Sequence, residues 1–259
     1  MSRLRATILA SGSAGNAMLL EAGSHRLLVD AGLSADALER GLARVGVASE
    51  TLAAIVLTHE HDDHARGAGP LARAARLRVY ANAGTAAAAA GALAGVEVTM
   101  FEMGTPFALG PCTATAFPVP HDAAQPVGFR IEFAGRRITV ATDLGSANTQ
   151  MDPYLADADL VVLESNYDLG LLHVSAYPWF LKNRILSARG HLSNDDAARA
   201  LARTAGRPRM ICLVHLSEIN NLAALARDTA RAALAAVGRG ADVVRAVPPN
   251  GWSDPIEVG

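Results

Sequence analysis

Thr58-His59-Glu60-His61-Asp62-Asp63-His64 gathers three imidazoles and three carboxylates into one short run. In an extended stretch, residues i and i+2 point the same way, so His59 and His61 can grip one ion. Where the chain turns, Asp63 and His64 can face a second. Imidazole and carboxylate together suit zinc or manganese. The remaining histidines, His25, His121, His173, His191 and His215, stand singly. His25 reads as a turn residue and His173 as an exposed loop residue. A separate segment, Ser11-Gly12-Ser13-Ala14-Gly15-Asn16, reads either as a glycine-rich hairpin turn or as a nest of backbone N–H groups for a phosphate. Ser11, Ser13 and Asn16 are its candidate phosphate-binding residues.

The elements around these residues follow from short apolar runs and their punctuation. Strands are expected over Ala6 to Ala10, Ala17 to Glu21 and Arg26 to Asp30. Ser34 is a helix cap. Ala53 to Leu57 is a buried strand that feeds directly into the histidine run. Helix over Pro70 to Ala75, strand over Leu77 to Tyr80 and an alanine-rich helix after Gly84 come next. Strand signals dominate from Val96 to Ala141. The pattern then alternates: strand Leu160 to Glu164, helices Tyr177 to Ala188 and Asp195 to Ala205, strand Met210 to Val214, helix Leu222 to Ala236, strand Val243 to Val247. No linker or charge block interrupts it, so residues 1–259 are expected to form a single domain.

The chain has 259 residues, 23 basic and 25 acidic, and a formal charge of −2. That excludes the strongly basic footprint of a protein that coats nucleic acid, though not a local basic groove. At this size a single core suffices without disulfides. Cys112 and Cys212 form no Cys-x-x-Cys pair and read as small buried apolar residues of a reducing compartment. With no signal peptide and no long apolar run, a soluble cytoplasmic protein without membrane partners is expected.

His59-x-His61-x-Asp63-His64 after an apolar strand resembles the signature of the metallo-β-lactamase fold superfamily. Leu27-Leu28-Val29-Asp30-Ala31-Gly32 resembles its first motif, His121 its third-motif ligand, Thr142-Asp143 its bridging-aspartate motif and His215 its last ligand. The resemblance runs from Ser11 to Asn221. It implies an α/β (α+β) fold, an αββα sandwich of two mixed sheets with outer helices. It implies two divalent metal ions, zinc or manganese. His59, His61 and His121 would hold the first ion, and Asp63, His64 and His215 the second. Asp143 would bridge them, and Asp30 would brace the metal loop.

Smaller motifs narrow the family. Asp143 stands where thiolate-using β-lactamases place a cysteine. The short stretch from His121 to Asp143 has no room for the arm of tRNA 3′-processing enzymes. Tyr80-Ala81-Asn82, Tyr177-Pro178-x-x-Leu181-Lys182-x-Arg184-Ile185, Gly190-His191-Leu192-Ser193-Asn194 and His215-Leu216-Ser217-x-x-Asn220-Asn221 are similar to the YycJ/WalJ group, described as 5′→3′ DNA exonucleases. The resemblance implies a phosphodiesterase acting on DNA, with His191, Asp63 and Asp143 as catalytic candidates and His191 as the general acid. A small-molecule metallo-hydrolase (cyclic phosphodiester, lactone or β-lactam), a tRNA-processing-like ribonuclease and a metal-binding scaffold without catalysis are the alternatives. The group usually has a histidine where this chain has Tyr167.

Overall fold

The computed structural model describes residues 3–204, 210–240 and 244–258. Ala205 and Val243, the outer ends of two expected elements, lie outside them. The chain divides into two compact units. Within the described residues, unit 1 takes 3–118, 123–136 and 250–258, and unit 2 takes 119–122 and 137–249.

Unit 1 is built on a mixed sheet. Its strands are β1 (Leu4–Ala10), β2 (Ala17–Ala22), β3 (His25–Val29), β4 (Ala54–Val56), β5 (Arg78–Ala81), β6 (Val98–Met100) and β14 (Ile256–Val258), ordered β14-β1-β2-β3-β4-β5-β6. The first pairs are antiparallel, and β3 through β6 are parallel. Helices α1 (Ala35–Arg44) and α3 (Ala68–Ala75) lay Leu38, Leu42 and Leu71 against Leu19, Leu28, Ile55 and Val79 of the sheet. Ser34 caps α1 by accepting from Ala37 N, as its residue type demands. Asn82 does the same for α4 (Ala83–Ala88). The unit also holds an antiparallel ribbon of β7 (Phe107–Leu109), β8 (Cys112–Pro118) and β9 (Val127–Phe133). Phe101 joins ribbon to sheet edge, its ring 4.7 Å from Phe107 and 5.5 Å from Phe129.

Unit 2 carries four parallel strands, β10 (Arg136–Ala141), β11 (Leu160–Glu164), β12 (Met210–Val214) and β13 (Val244–Ala246). Around them run α5 (Asp152–Ala156), α6 (Leu169–Val174), α7 (Trp179–Leu186), α8 (Asn194–Arg203) and α9 (Ala223–Ala236). Strands β11 and β12 are apolar throughout except for Glu164, as fully buried parallel strands are. No described helix is long and apolar enough to cross a membrane. Two expectations change. The segment holding His173 is helix α6 rather than a loop, because Asp168 caps it by accepting from Leu171 N. His25 opens β3 opposite Ala22 instead of lying in the turn.

Candidate active site

In unit 1 the histidine run begins where β4 ends and turns into the short helix α2 (Asp62–Ala65). His59 and His64 are buried, and their rings lie 4.1 Å apart; His61 is 4.7 Å from His59. Asp30 sits behind them. Its Oδ1 accepts from Thr58 N and its Oδ2 from Thr58 Oγ1 and His64 Nδ1, each at 2.8 Å. The Thr58 hydroxyl spends its hydrogen on Asp30, so it accepts from His59 Nδ1 at 3.0 Å. Asp30 follows β3 in a left-handed conformation, φ 58°, uncommon for any residue but glycine.

The rest of the Asp30-Ala31-Gly32 motif also has a physical reading. Ala31 N donates to His64 O at 2.7 Å, and a Cβ on Gly32 would meet Asp63 O at 1.7 Å. Only glycine lets the two segments lie so close. Asn16 fastens the same loop from the other side. Its backbone N donates to Asp63 O at 2.7 Å, and its amide lies 3.0 Å from His64 Nε2 and 3.3 Å from Asp63 Oδ2. Among the phosphate-binding candidates, Asn16 is therefore turned inward onto Asp63 and His64. Ser11 is buried and Ser13 exposed.

In unit 2, His121, Asp143, His191 and His215 come together around a residue that the sequence reading passed over. Glu164 ends β11 and is fully buried. Its Oε1 accepts from both His191 Nδ1 and His215 Nδ1 at 2.8 Å, and its Oε2 from Leu144 N at 2.6 Å and Leu192 N at 3.2 Å. The available signal was an acid closing an otherwise apolar strand, since such a group is buried only when its oxygens are satisfied. Asp143 and His215, just past the ends of β10 and β12, share the left-handed φ of 57°. His121 Nδ1 faces Gly190 O at 3.1 Å, and Asp143 Oδ1 lies 3.7 Å from His121 Nε2. Asp122 beside it binds Arg184 Nε at 2.9 Å, which anchors the end of α7.

Electrostatics separates two of the three imidazoles that flank Asp143, His121 and His191. For His121, burial lowers the pKa despite the Asp143 and Glu164 charges. For His191, burial also favours the neutral ring, but the Glu164 charge and hydrogen bond, with Asp143, raise its pKa overall. Glu164 is pulled the opposite way: burial would raise it, and His191 and His215 lower it. Tyr167 is a core residue. It packs with Leu172 and Ile185, and burial pushes its hydroxyl up to about 12.

The donor set fits a divalent ion. His59, His64, His121 and His215 each turn Nδ1 to an oxygen: a hydroxyl, a carboxylate, a carbonyl and a carboxylate. A ring whose Nδ1 holds its proton against oxygen presents Nε2 as the lone-pair donor, the habit of metal-ligating histidine. Within unit 2, Asp143, Glu164, His191 and His215 each offer a ligand-type atom within 4.8 Å of the others.

Residues 25–216 match the β-lactamase superfamily domain. The chain belongs to that superfamily. This β-lactamase-superfamily chain is 41% identical over 229 residues to Exodeoxyribonuclease WalJ of Streptococcus pneumoniae, covering 86% of this chain and 85% of that protein. It is 37% identical over 228 residues to Exodeoxyribonuclease YycJ of Bacillus anthracis, covering 86% of each. The metallo-β-lactamase fold protein YhfI of Bacillus subtilis superposes over 98% of this chain and 99% of that one, with a TM-score of 0.76 and 21% identity. The fold is the expected α/β metallo-β-lactamase one, with two mixed sheets and helices, and the superfamily member is a metal-dependent hydrolase of the YycJ/WalJ group.

Proposed function

We propose that the chain is a dinuclear-metal DNA exonuclease that degrades strands in the 5′→3′ direction. The observation that carries the metal reading is the set of four histidines whose Nδ1 atoms are each tied to an oxygen. The exodeoxyribonuclease relatives, 41% and 37% identical, support DNA as the substrate. His59, His61 and His121 are assigned to a first ion, Asp63, His64 and His215 to a second, and Asp143 to both. Zinc or manganese suits this donor set. Such ions, when bound, supply Lewis acidity that polarises water and a phosphodiester.

The chain's own residues do the rest. Asp30 orients His64 and, through Thr58, His59. Glu164 orients His215 and His191. His191 is the general acid: its Nδ1–H is held by Glu164, its raised pKa favours the protonated ring, and its side chain keeps 22% exposure. Nε2 is then the atom that hands a proton to the departing sugar oxygen.

Purified protein given 5′- and 3′-labelled DNA with Mn²⁺, Zn²⁺ or EDTA tests this reading. Loss of label from the 5′ end, abolished by chelation, is the expected result. Turnover of a cephalosporin or an RNA without any DNA cleavage overturns it. Elemental analysis of metal-replete protein should give two equivalents per chain. His191→Ala should keep its metal and lower the rate on DNA by about 10²–10⁴-fold, with a smaller deficit on nitrophenyl phosphodiesters, whose leaving group needs no proton. Equal losses on both substrates remove His191 from the acid role.

A further inference from the structure

Unit 1 carries a second feature that the ligand set does not use. Arg40 and Arg44 stand one helical turn apart on α1, hence on one face. Both line a cavity of about 290 Å³ together with Ala14 and Gly15 of the glycine turn, Asn250 and Trp252. The Arg44 guanidinium lies 5.0 Å from the centre of the Trp252 ring, and that ring is 47% exposed. Arg5, Arg26 and Arg78 of the same unit each pair with a glutamate. Arg40 and Arg44 have no carboxylate partner among the described residues. Two unspent guanidiniums beside an exposed indole, over an apolar floor that includes Leu9 and Leu33, make a setting for an anion attached to a flat ring.

We propose that this cavity holds one nucleotide of the single DNA strand, at a distance from the bond that is cut. A backbone phosphate lies between Arg40 and Arg44, and its base extends the stack on Trp252. Stacking on an aromatic beside a basic track is how single strands are held without sequence preference. The volume of about 290 Å³ is at the small end of ligand sites and matches a single nucleotide unit. The wall of the cavity leads to the ligand loop: Gly15 precedes Asn16, whose backbone and amide hold Asp63 and His64. A Cβ at Gly15 would come within 2.6 Å of Leu33 Cδ2 and 2.8 Å of Gly32 O, so the turn is pressed against that wall. The assignment rests on the nuclease reading for its substrate class.

The chain has two tryptophans, so Trp179→Phe leaves Trp252 as the single reporter. Metal-loaded protein in that background is titrated with a phosphorothioate dodecanucleotide, which resists cleavage. Trp252 emission should be quenched on binding. Arg40→Gln with Arg44→Gln should weaken binding about tenfold and reduce the salt slope by about 0.7, the share of one single-strand phosphate. Ala37→Glu, which puts a carboxylate into the same cavity from the surface of α1, should weaken binding with the melting temperature unchanged. Absent quenching, or affinity and salt slope unmoved in these variants, overturns the proposal. So does equal affinity for dAMP or inorganic phosphate, which would make the cavity a site for a free anion. Cleavage of labelled DNA by the wild type is read separately. Its absence with quenching intact removes the nuclease reading and leaves a strand-binding cavity.

Discussion

Asp30 in unit 1 and Glu164 in unit 2 are both buried carboxylates that stand behind imidazoles, yet they are loaded differently. Asp30 accepts three hydrogen bonds, all from residues 58 to 64. Glu164 accepts four, from Leu144, His191, Leu192 and His215, which belong to three separate stretches of chain. One carboxylate shapes a loop. The other ties together the C-terminal ends of a parallel sheet. The difference teaches where each mutation should register: in unit 1 on the ligands, in unit 2 on the fold.

The largest effect is therefore expected at Glu164. Glu164→Ala strands the buried His215 imidazole, the half-buried His191 imidazole and two backbone N–H groups, and it should cost about 3–5 kcal/mol of unfolding free energy, the range for breaking a buried charged network. Urea unfolding of the metal-free protein measures it. Every partner of Glu164 is a donor, so Glu164→Gln turns an amide N–H toward another N–H and should recover little. A Glu164→Ala protein as stable as the wild type would mean that the four hydrogen bonds carry no weight in the fold.

A second comparison sets Gly32 against Gly190. A Cβ at Gly32 strikes Asp63 O at 1.7 Å, whereas one at Gly190 strikes Arg184 O at 2.2 Å and Ile185 O at 2.3 Å. Either alanine should cost about 1–3 kcal/mol as overpacking. Gly32→Ala should also lower metal uptake, because the atom displaced belongs to Asp63, a proposed ligand of the second ion. Gly190→Ala moves α7 and the backbone before His191, so its extra loss should fall on DNA turnover. Metal titration calorimetry on both variants decides whether the two losses separate.

Asp30→Asn is gentler. The amide keeps the shape of the carboxylate, and Thr58 Oγ1 can rotate its hydrogen to suit. His64 cannot adapt so cheaply. If its Nδ1 loses an acceptor, the ring settles as the other tautomer and Nε2 ceases to be a lone-pair donor. Metal affinity should fall about 10–100-fold while unfolding free energy changes little. A large stability loss with metal affinity intact would show that Asp30 acts as a structural brace alone.

The same contrast explains what could be read from the sequence. His59, His61, Asp63 and His64 lie in one run, so residue types and spacing alone announced metal chemistry. Asp143, His191 and His215 are single residues, each just past or between elements, and only the ordered resemblance to a superfamily picked them out. Glu164 had neither aid. It closes a strand that otherwise reads as core, so its acid is a faint signal, and its role exists only once three other segments converge on it. Most strands and helices were legible because their apolar runs were clean: Leu160 to Glu164 and Met210 to Val214 are found as expected. Strand β14 was missed because three residues near the chain end gain strand structure only by pairing with β1. The cavity beside Trp252 was out of reach for the same reason, since its wall joins residues 14, 40, 44 and 252.

The smallest expected effect sharpens the comparison without touching either carboxylate. Cys112 in β8 of unit 1 and Cys212 in β12 of unit 2 are both free and buried. Burial pushes the Cys112 thiol up to about 11 and the Cys212 thiol up to about 12. Only the thiolate reacts, so at pH 8 both thiols stay almost wholly in the unreactive protonated form. Neither should be modified by iodoacetamide on the minutes scale that suffices in denaturant. As the pH rises, Cys112 should react before Cys212, with metal content and unfolding free energy unchanged until it does. The order matters more than the rates. Cys212 lies in the parallel sheet that Glu164 ties together, so Glu164→Ala should speed its labelling and leave Cys112 unaffected. Equal acceleration of both thiols would mean that Glu164 supports the whole chain rather than the strand ends of unit 2.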